Sequence, residues 1–256
     1  MLLSNTVLAQ EPIKIYDSKV GQSIIVLADN LEAFPYTIKL EIKQKGLTLQ
    51  EPLPDYFVVP GNSKGLEITR LNFKENSSWQ ISYKFQYMEG DADAIHNNDY
   101  VYQLPFKDAK FIMSQGYNGT STHQGINALD FTMPKGQIIL AARNGLVVKV
   151  KEDSNLGCPS SECMNQGNFV RILHDDGTMA EYHHLEFNGA LVAVGDIIEQ
   201  GQEVGNCGAT GYATGPHLHF IVFKTDGIKQ ITIKTKFKYS PDKIGYLQEG
   251  NMYTAF

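Results

Sequence analysis

Thr210-Gly211-Tyr212-Ala213-Thr214-Gly215-Pro216-His217-Leu218-His219-Phe220 is a glycine-punctuated turn that runs into an alternating strand. Side chains two apart along a strand point to the same face. His217 and His219 therefore present two imidazoles side by side, while Leu218 and Phe220 turn to the opposite, apolar face. Neutral imidazole is a common zinc ligand. Two solvent-facing histidines on a sheet would satisfy the same pattern, so a metal reading needs partners elsewhere in the chain.

Two other stretches offer them. His123-Gln124-Gly125-Ile126-Asn127-Ala128-Leu129-Asp130-Phe131 sets an imidazole and a carboxylate on either side of a turn-prone segment, a donor combination that suits zinc. Tyr182-His183-His184-Leu185 ends a strand, and alternation places one of its two histidines on each face. Six of the seven histidines fall between residues 123 and 219. The seventh, His96, lies in a polar run and is expected in a loop, with no ligand role. His174, just before Asp175-Asp176-Gly177, is expected to be exposed, and His183 to be exposed or to sit behind the ligands.

The surrounding chain reads as mainly β. Residues 12–104 hold short alternating runs, such as Thr37-Ile38-Lys39-Leu40-Glu41-Ile42-Lys43, separated by turn signals such as Pro60-Gly61-Asn62. They predict a small immunoglobulin-like β-sandwich over residues 10–104. From Leu104-Pro105-Phe106 the composition shifts to glycine and short apolar strands. Asn168 to Tyr182, with Asp175-Asp176-Gly177 between two runs, predicts a hairpin. Residues 105–256 are expected to form the domain with the histidines, an antiparallel β-sheet that ends in a β extension where Ile231 to Phe237 continues as one alternating strand.

Of the 256 residues, 42% are hydrophobic and 20% charged, with a net charge of −6. A core can be buried without staples, and nothing in the charge favours binding nucleic acid. No apolar run approaches the roughly 20 residues of a membrane helix. Met1-Leu2-Leu3-Ser4-Asn5-Thr6-Val7-Leu8-Ala9-Gln10 resembles the end of a secretory signal, with Val7 and Ala9 placed for cleavage before Gln10, so residues 1–9 are expected to be a signal-peptide remnant. In an exported chain Cys158 and Cys163 are expected to form a local disulfide. Cys207 is expected to be a small buried residue.

Taken together, His123 to Phe220 resembles the LytM/lysostaphin-type zinc endopeptidases, which cut peptide bridges in bacterial cell walls. The landmarks run in that family's order: His123 and Asp130; Pro134-Lys135-Gly136; Ala141-Ala142-Arg143-Asn144-Gly145; Tyr182-His183-His184-Leu185; Gly201-Gln202-Glu203-Val204-Gly205; and Thr210 to Phe220. About 100 of the 256 residues are covered. The resemblance implies a duplicated hybrid motif fold and one Zn2+ per chain, held by His123, Asp130 and His219. It implies His184 and His217 as catalytic residues, one as general base and one as oxyanion stabiliser. It selects His184 over His183. It also implies an exported enzyme, secreted or in the periplasm and cell envelope, hydrolysing peptidoglycan cross-bridges. The first domain's role stays open: covering the groove, binding wall or a protein partner, or only presenting the catalytic sheet. A non-enzymatic wall-binding or activator module on the same fold is the alternative. The departure from the pattern is the spacing: six residues separate His123 from Asp130 where the family has three, and Asn127 stands at the usual aspartate position. Asp130 is the expected ligand, because an anionic carboxylate binds zinc better than an amide.

Overall fold

The computed structural model of the chain describes residues 11–255; the expected signal remnant lies outside the described residues. The chain divides into two compact units, residues 1–89 and 90–256. Among the described residues the one helical element is the short 3-10 turn Ser161–Gln166; everything else that is regular is strand. Among the described residues no helix is long and apolar enough to cross a membrane.

The first unit carries two antiparallel sheets. Ser23–Asn30 pairs with Ile13–Val20 and Ser63–Phe73 in one, and Tyr36–Lys45 pairs with Phe57–Val59 and Gln80–Glu89 in the other. Alternation decides which face is buried: Ile24, Val26 and Ala28 are inside, as are Tyr36, Ile38 and Leu40.

The second unit is organised by a nine-stranded sheet. Its order is Ile197–Ile198, Gly145–Lys151, Phe169–Leu173, Met179–His183, His217–Thr225, Ala128–Thr132, Lys110–Gln115 and Met252–Thr254, with Gln230–Thr232 added beside His217–Thr225. Every neighbouring pair of strands in this sheet is antiparallel. The core behind it holds Leu129, Phe131, Val170, Ile172, Leu218 and Phe220. Burying each such side chain is worth about 1.5–3 kcal/mol, so one face of these strands is committed to the core and the other is left for polar residues.

Two segments differ from their expected form. Ile231 to Phe237 is interrupted: the strand Gln230–Thr232 ends and Lys236–Ser240 begins on another sheet, pairing in parallel with Val101–Gln103. In the gap Thr235 N donates to the hydroxyl of Tyr117, which takes it out of any ladder. Val101–Gln103 itself lies in the second unit, where Gln103 N donates to Ala142 O.

His174 is buried, not exposed. The hairpin at Asp175-Asp176-Gly177 is pulled inward by Arg143, which is itself buried. Its guanidinium bonds Asp176 Oδ2 at 2.7 Å and Asp175 Oδ1 at 2.5 Å. His174 Nδ1 donates to Asn144 O at 2.8 Å. Burial, reinforced by the Arg143 charge, pushes the His174 pKa down from 6.5 to about 4. The unfolded chain therefore binds a proton between those values that the folded chain refuses. His174 contributes its full stability above about pH 6.5, and that contribution is lost as pH falls towards 4, a total of about 3 kcal/mol. Urea unfolding from pH 7 to 4 should show a shallower decline for His174→Gln than for the parent chain; parallel declines would refute the assignment.

Candidate metal centre

The site starts from strand register. Ala128–Thr132 pairs with His217–Thr225 so that Asp130 lies opposite His219, and Met179–His183 pairs on the other side so that His183 lies opposite His219. Residues directly opposite in an antiparallel pair share a face. Leu218 and Phe220 fill the core below, so His217, His219 and Asp130 are left on the other face.

His123 reaches the same place from the loop before Ala128–Thr132. Its Nδ1 donates to Gly116 O at 3.0 Å, which fixes the neutral tautomer and leaves the Nε2 lone pair facing the site. His123 Nε2 lies 3.2 Å from His219 Nδ1 and 3.3 Å from Asp130 Oδ1, and His219 Nδ1 lies 2.9 Å from Asp130 Oδ1. Two imidazole nitrogens and one carboxylate oxygen form a small triangle. Zinc–ligand bonds of about 2.0–2.1 Å in tetrahedral geometry put neighbouring donors ~3.3 Å apart, so this triangle fits that ion. Asn127 is turned away: its N and Nδ2 donate to Thr232 Oγ1 and Thr232 O. The extra residues between His123 and Asp130 close a turn, with Ile126 N bonded to His123 O and Gly125 at φ +73.

The charges in the triangle are coupled. Burial works against the Asp130 carboxylate, but its close contacts with the imidazoles of His123 and His219 outweigh it and hold its pKa well below the usual carboxylate range. Burial also opposes protonation of His123, yet its contacts with Asp130 raise its pKa; at His219 burial wins and the pKa is lowered. An anionic oxygen facing two imidazole nitrogens is an arrangement that a cation satisfies directly.

His184 and His217 lie beside this triangle with ring centroids 4.4 Å apart, and His217 Nε2 is 3.9 Å from Asp130 Oδ1. Each donates Nδ1–H to a backbone carbonyl, His184 to Thr210 O at 2.7 Å and His217 to Gly215 O at 2.9 Å. Both keep an Nε2 lone pair available. Burial, then the neighbouring imidazoles, push the His184 pKa down to about 3, so it is neutral at pH 7.

Simple alternation fails at His183-His184. His184 adopts φ +64, a left-handed conformation that is uncommon for a side chain larger than glycine's hydrogen. The kink ends the strand and keeps both rings near His219, with centroids 5.6 Å away for His183 and 5.9 Å for His184. The cost of such a backbone, about 1–3 kcal/mol, is offset by bonds around it: Gly208 N donates to His184 O, and Thr210 Oγ1 links Asn168 N to Leu185 O.

Some residues around the site gave no signal in sequence. Gln115 bonds Asp130 and the backbone before His123. Glu181 is buried between Arg171 and His183, whose Nε2 lies 2.6 Å from Glu181 Oε2; these partners overcome its burial and lower its pKa to about 2. The i, i+2 spacing of Glu181 and His183 was the available cue for that pair.

No thiol serves this site. Cys158 and Cys163 are joined in a disulfide, and Cys207 is fully buried with its pKa pushed up to about 12 by burial.

Residues 121–231 match the profile of Peptidase family M23. An uncharacterised metalloprotease of Buchnera aphidicola subsp. Baizongia pistaciae (strain Bp) is 27% identical over 223 residues, which is 80% of this chain and 54% of that protein. The peptidoglycan DD-endopeptidase ShyA of Vibrio cholerae is 28% identical over 166 residues, 62% of this chain and 35% of that protein. The catalytic domain of lysostaphin from Staphylococcus simulans is 31% identical in its solved structure, with 44% of this chain aligned to 78% of that one at a TM-score of 0.34. The chain thus spans about half or less of the length of the first two relatives.

The thiol inventory is open to direct counting. Iodoacetamide at pH 8 should label no cysteine in the native chain, Cys207 alone after denaturation without reductant, and all three after reduction. Native labelling detected by mass spectrometry would contradict the burial of Cys207.

Proposed function

We propose, for a chain whose residues 121–231 belong to peptidase family M23, that it is a zinc metalloendopeptidase that cuts the peptide cross-bridges of bacterial peptidoglycan outside the cytoplasmic membrane. M23 metallopeptidases are zinc-dependent. The reading is carried by one observation: His123, Asp130 and His219 present three ligand atoms within reach of a single ion, with two further imidazoles beside them. Three protein ligands leave a fourth position open, which is the arrangement of a catalytic zinc site and not a structural one.

His123, Asp130 and His219 would hold the zinc, which would supply a water of lowered pKa and a Lewis acid for the scissile carbonyl. The protein groups do the rest. His184 and His217 each hold Nδ1–H on a carbonyl, so their Nε2 atoms face the reacting centre as acceptors. One would take the proton of the attacking water and pass it to the leaving amine; the other, protonated beforehand from solvent, would donate to the oxyanion. Asp130 stays ionised throughout, which keeps the negative charge where a cation is to be held.

A groove opens beside Asp130 and is lined by Ser114, Thr120, Thr132, Thr214, His217 and Glu249. Its hydroxyls and open form suit an extended polar peptide. Relatives point the same way: ShyA carries the name peptidoglycan DD-endopeptidase, and ALE-1 of Staphylococcus capitis that of a glycyl-glycine endopeptidase. A wall-binding module without catalysis has no use for the two free imidazole nitrogens.

Purified protein should release soluble fragments from peptidoglycan sacculi, and a chelator should abolish the release until zinc is restored. His219→Ala should lose both zinc and activity. His184→Ala and His217→Ala should keep zinc while turnover falls on the order of 10²–10³-fold. Hydrolysis that survives both chelation and His219→Ala would reject the proposal.

A further inference from the structure

Behind the His–Asp–His triangle sits one amide whose hydrogen-bonding positions are all taken. Gln115 ends the strand Lys110–Gln115 and is buried. Its Nε2 donates to Asp130 Oδ2 at 2.9 Å and to Thr122 Oγ1 at 2.8 Å. Its Oε1 accepts the backbone N–H of Thr122 at 2.8 Å and of His123 at 3.3 Å. A primary amide has two N–H groups and two lone pairs, and here each has a partner.

A register irregularity brings it there. Lys110–Gln115 pairs with Ala128–Thr132 through a shift between Asp130 and Phe131, which sets Gln115 opposite Asp130. Asp130 is thereby flanked by His219 on one neighbouring strand and Gln115 on the other. The next residue extends the same support: Gly116 O accepts from His123 Nδ1 at 3.0 Å, and Gly116 N donates to Glu249 Oε2 at 3.0 Å. Glu249 lies beyond residues 121–231, in the C-terminal extension.

This support answers the long His123–Asp130 spacing. The intervening turn is closed by Ile126 N bonding His123 O, a bond that touches neither the Asp130 carboxylate nor the His123 ring, so it leaves the His123–Asp130 distance for other contacts to hold. Gln115 does so from outside the turn, because one side chain grips the carboxylate of Asp130 and the backbone of His123 together. By occupying Oδ2 it also leaves Oδ1 as the single Asp130 oxygen among the two imidazole nitrogens.

We propose that Gln115 is the positioning residue of the metal centre, acting through Asp130 and the His123 backbone to turn a loosely spaced His–Asp pair into a preset one-oxygen, one-nitrogen arm. This rests on the zinc reading of the same site. Partners that orient metal ligands in this way are typically worth 10–100-fold in metal affinity.

The test is zinc affinity of the full chain, measured by competition with a chromophoric chelator, together with thermal unfolding with and without zinc. Gln115→Met keeps the volume and removes all four bonds; Gln115→Asn keeps the amide but is too short to span Asp130 and His123. Both should bind zinc roughly 10–100-fold more weakly. Both should unfold without metal within a few degrees of the parent, while the zinc-induced rise in Tm shrinks. The cobalt-substituted variants should show an altered visible spectrum, a signature that a purely structural role would not move. Zinc affinity within about threefold of the parent in both variants overturns the inference, as does loss of the metal-free fold in both. A parent chain that takes up no zinc defeats the proposed function itself, which is a distinct result from a zinc-binding parent with unaltered variants.

Discussion

The site depends on one strand pairing, the antiparallel register that sets Asp130 opposite His219. A slip of one residue would turn Asp130 towards the core and bring Leu129 or Phe131 to the polar face. Such a slip is opposed by the apolar side chains themselves, since Leu129, Phe131, Leu218 and Phe220 are all buried. The hydrophobic core and the metal-type triangle are therefore two faces of the same constraint. Burial of the alternate residues holds the register, and the register places the ligands.

Orientation is then set by backbone carbonyls. His123, His184 and His217 each donate Nδ1–H to a carbonyl, those of Gly116, Thr210 and Gly215. A carbonyl can only accept, so each ring is held in one tautomer with Nε2 facing inwards. The segments that provide these carbonyls are held in turn. Gly157 and Cys158 pair in parallel with Gly211 and Tyr212, next to Thr210. A Cβ on Gly157 would lie on the Ala209 carbonyl oxygen, and one on Gly211 would meet the Gly167 backbone. Gly211 also sits at φ +82. Glycine at these two positions lets the disulfide-closed loop approach the turn that carries Thr210.

Polar groups elsewhere in the same unit follow another logic. Arg143 with Asp176, and Arg171 with Glu181, place charges where water is scarce, while Asp175 reaches the Arg143 guanidinium from the exposed side. Buried ion pairs add little net stability, but breaking one leaves an uncompensated charge. Their effect is to anchor the hairpin between Phe169–Leu173 and Met179–His183, and so the end of that hairpin from which His183 and His184 project.

The strands were legible because period-two alternation is a local property. Leu218 and Phe220 declare a buried face, and His217 and His219 the opposite one, from four consecutive residues. The turn at Asp175-Asp176-Gly177 was legible for the same reason, since turn chemistry is written in adjacent side chains. What adjacent residues cannot state is which distant segment supplies a partner. The burial of His174 follows from Arg143, the left-handed backbone of His184 is sustained by contacts from Asn168, Gly208 and Thr210, and Gln115 meets Asp130 through an irregular pairing. Sequence alone determined that this chain makes alternating strands with histidines on one face; tertiary structure decided which of those histidines meet a carboxylate, because that meeting is an encounter between strands whose pairing depends on the packing of the whole sheet.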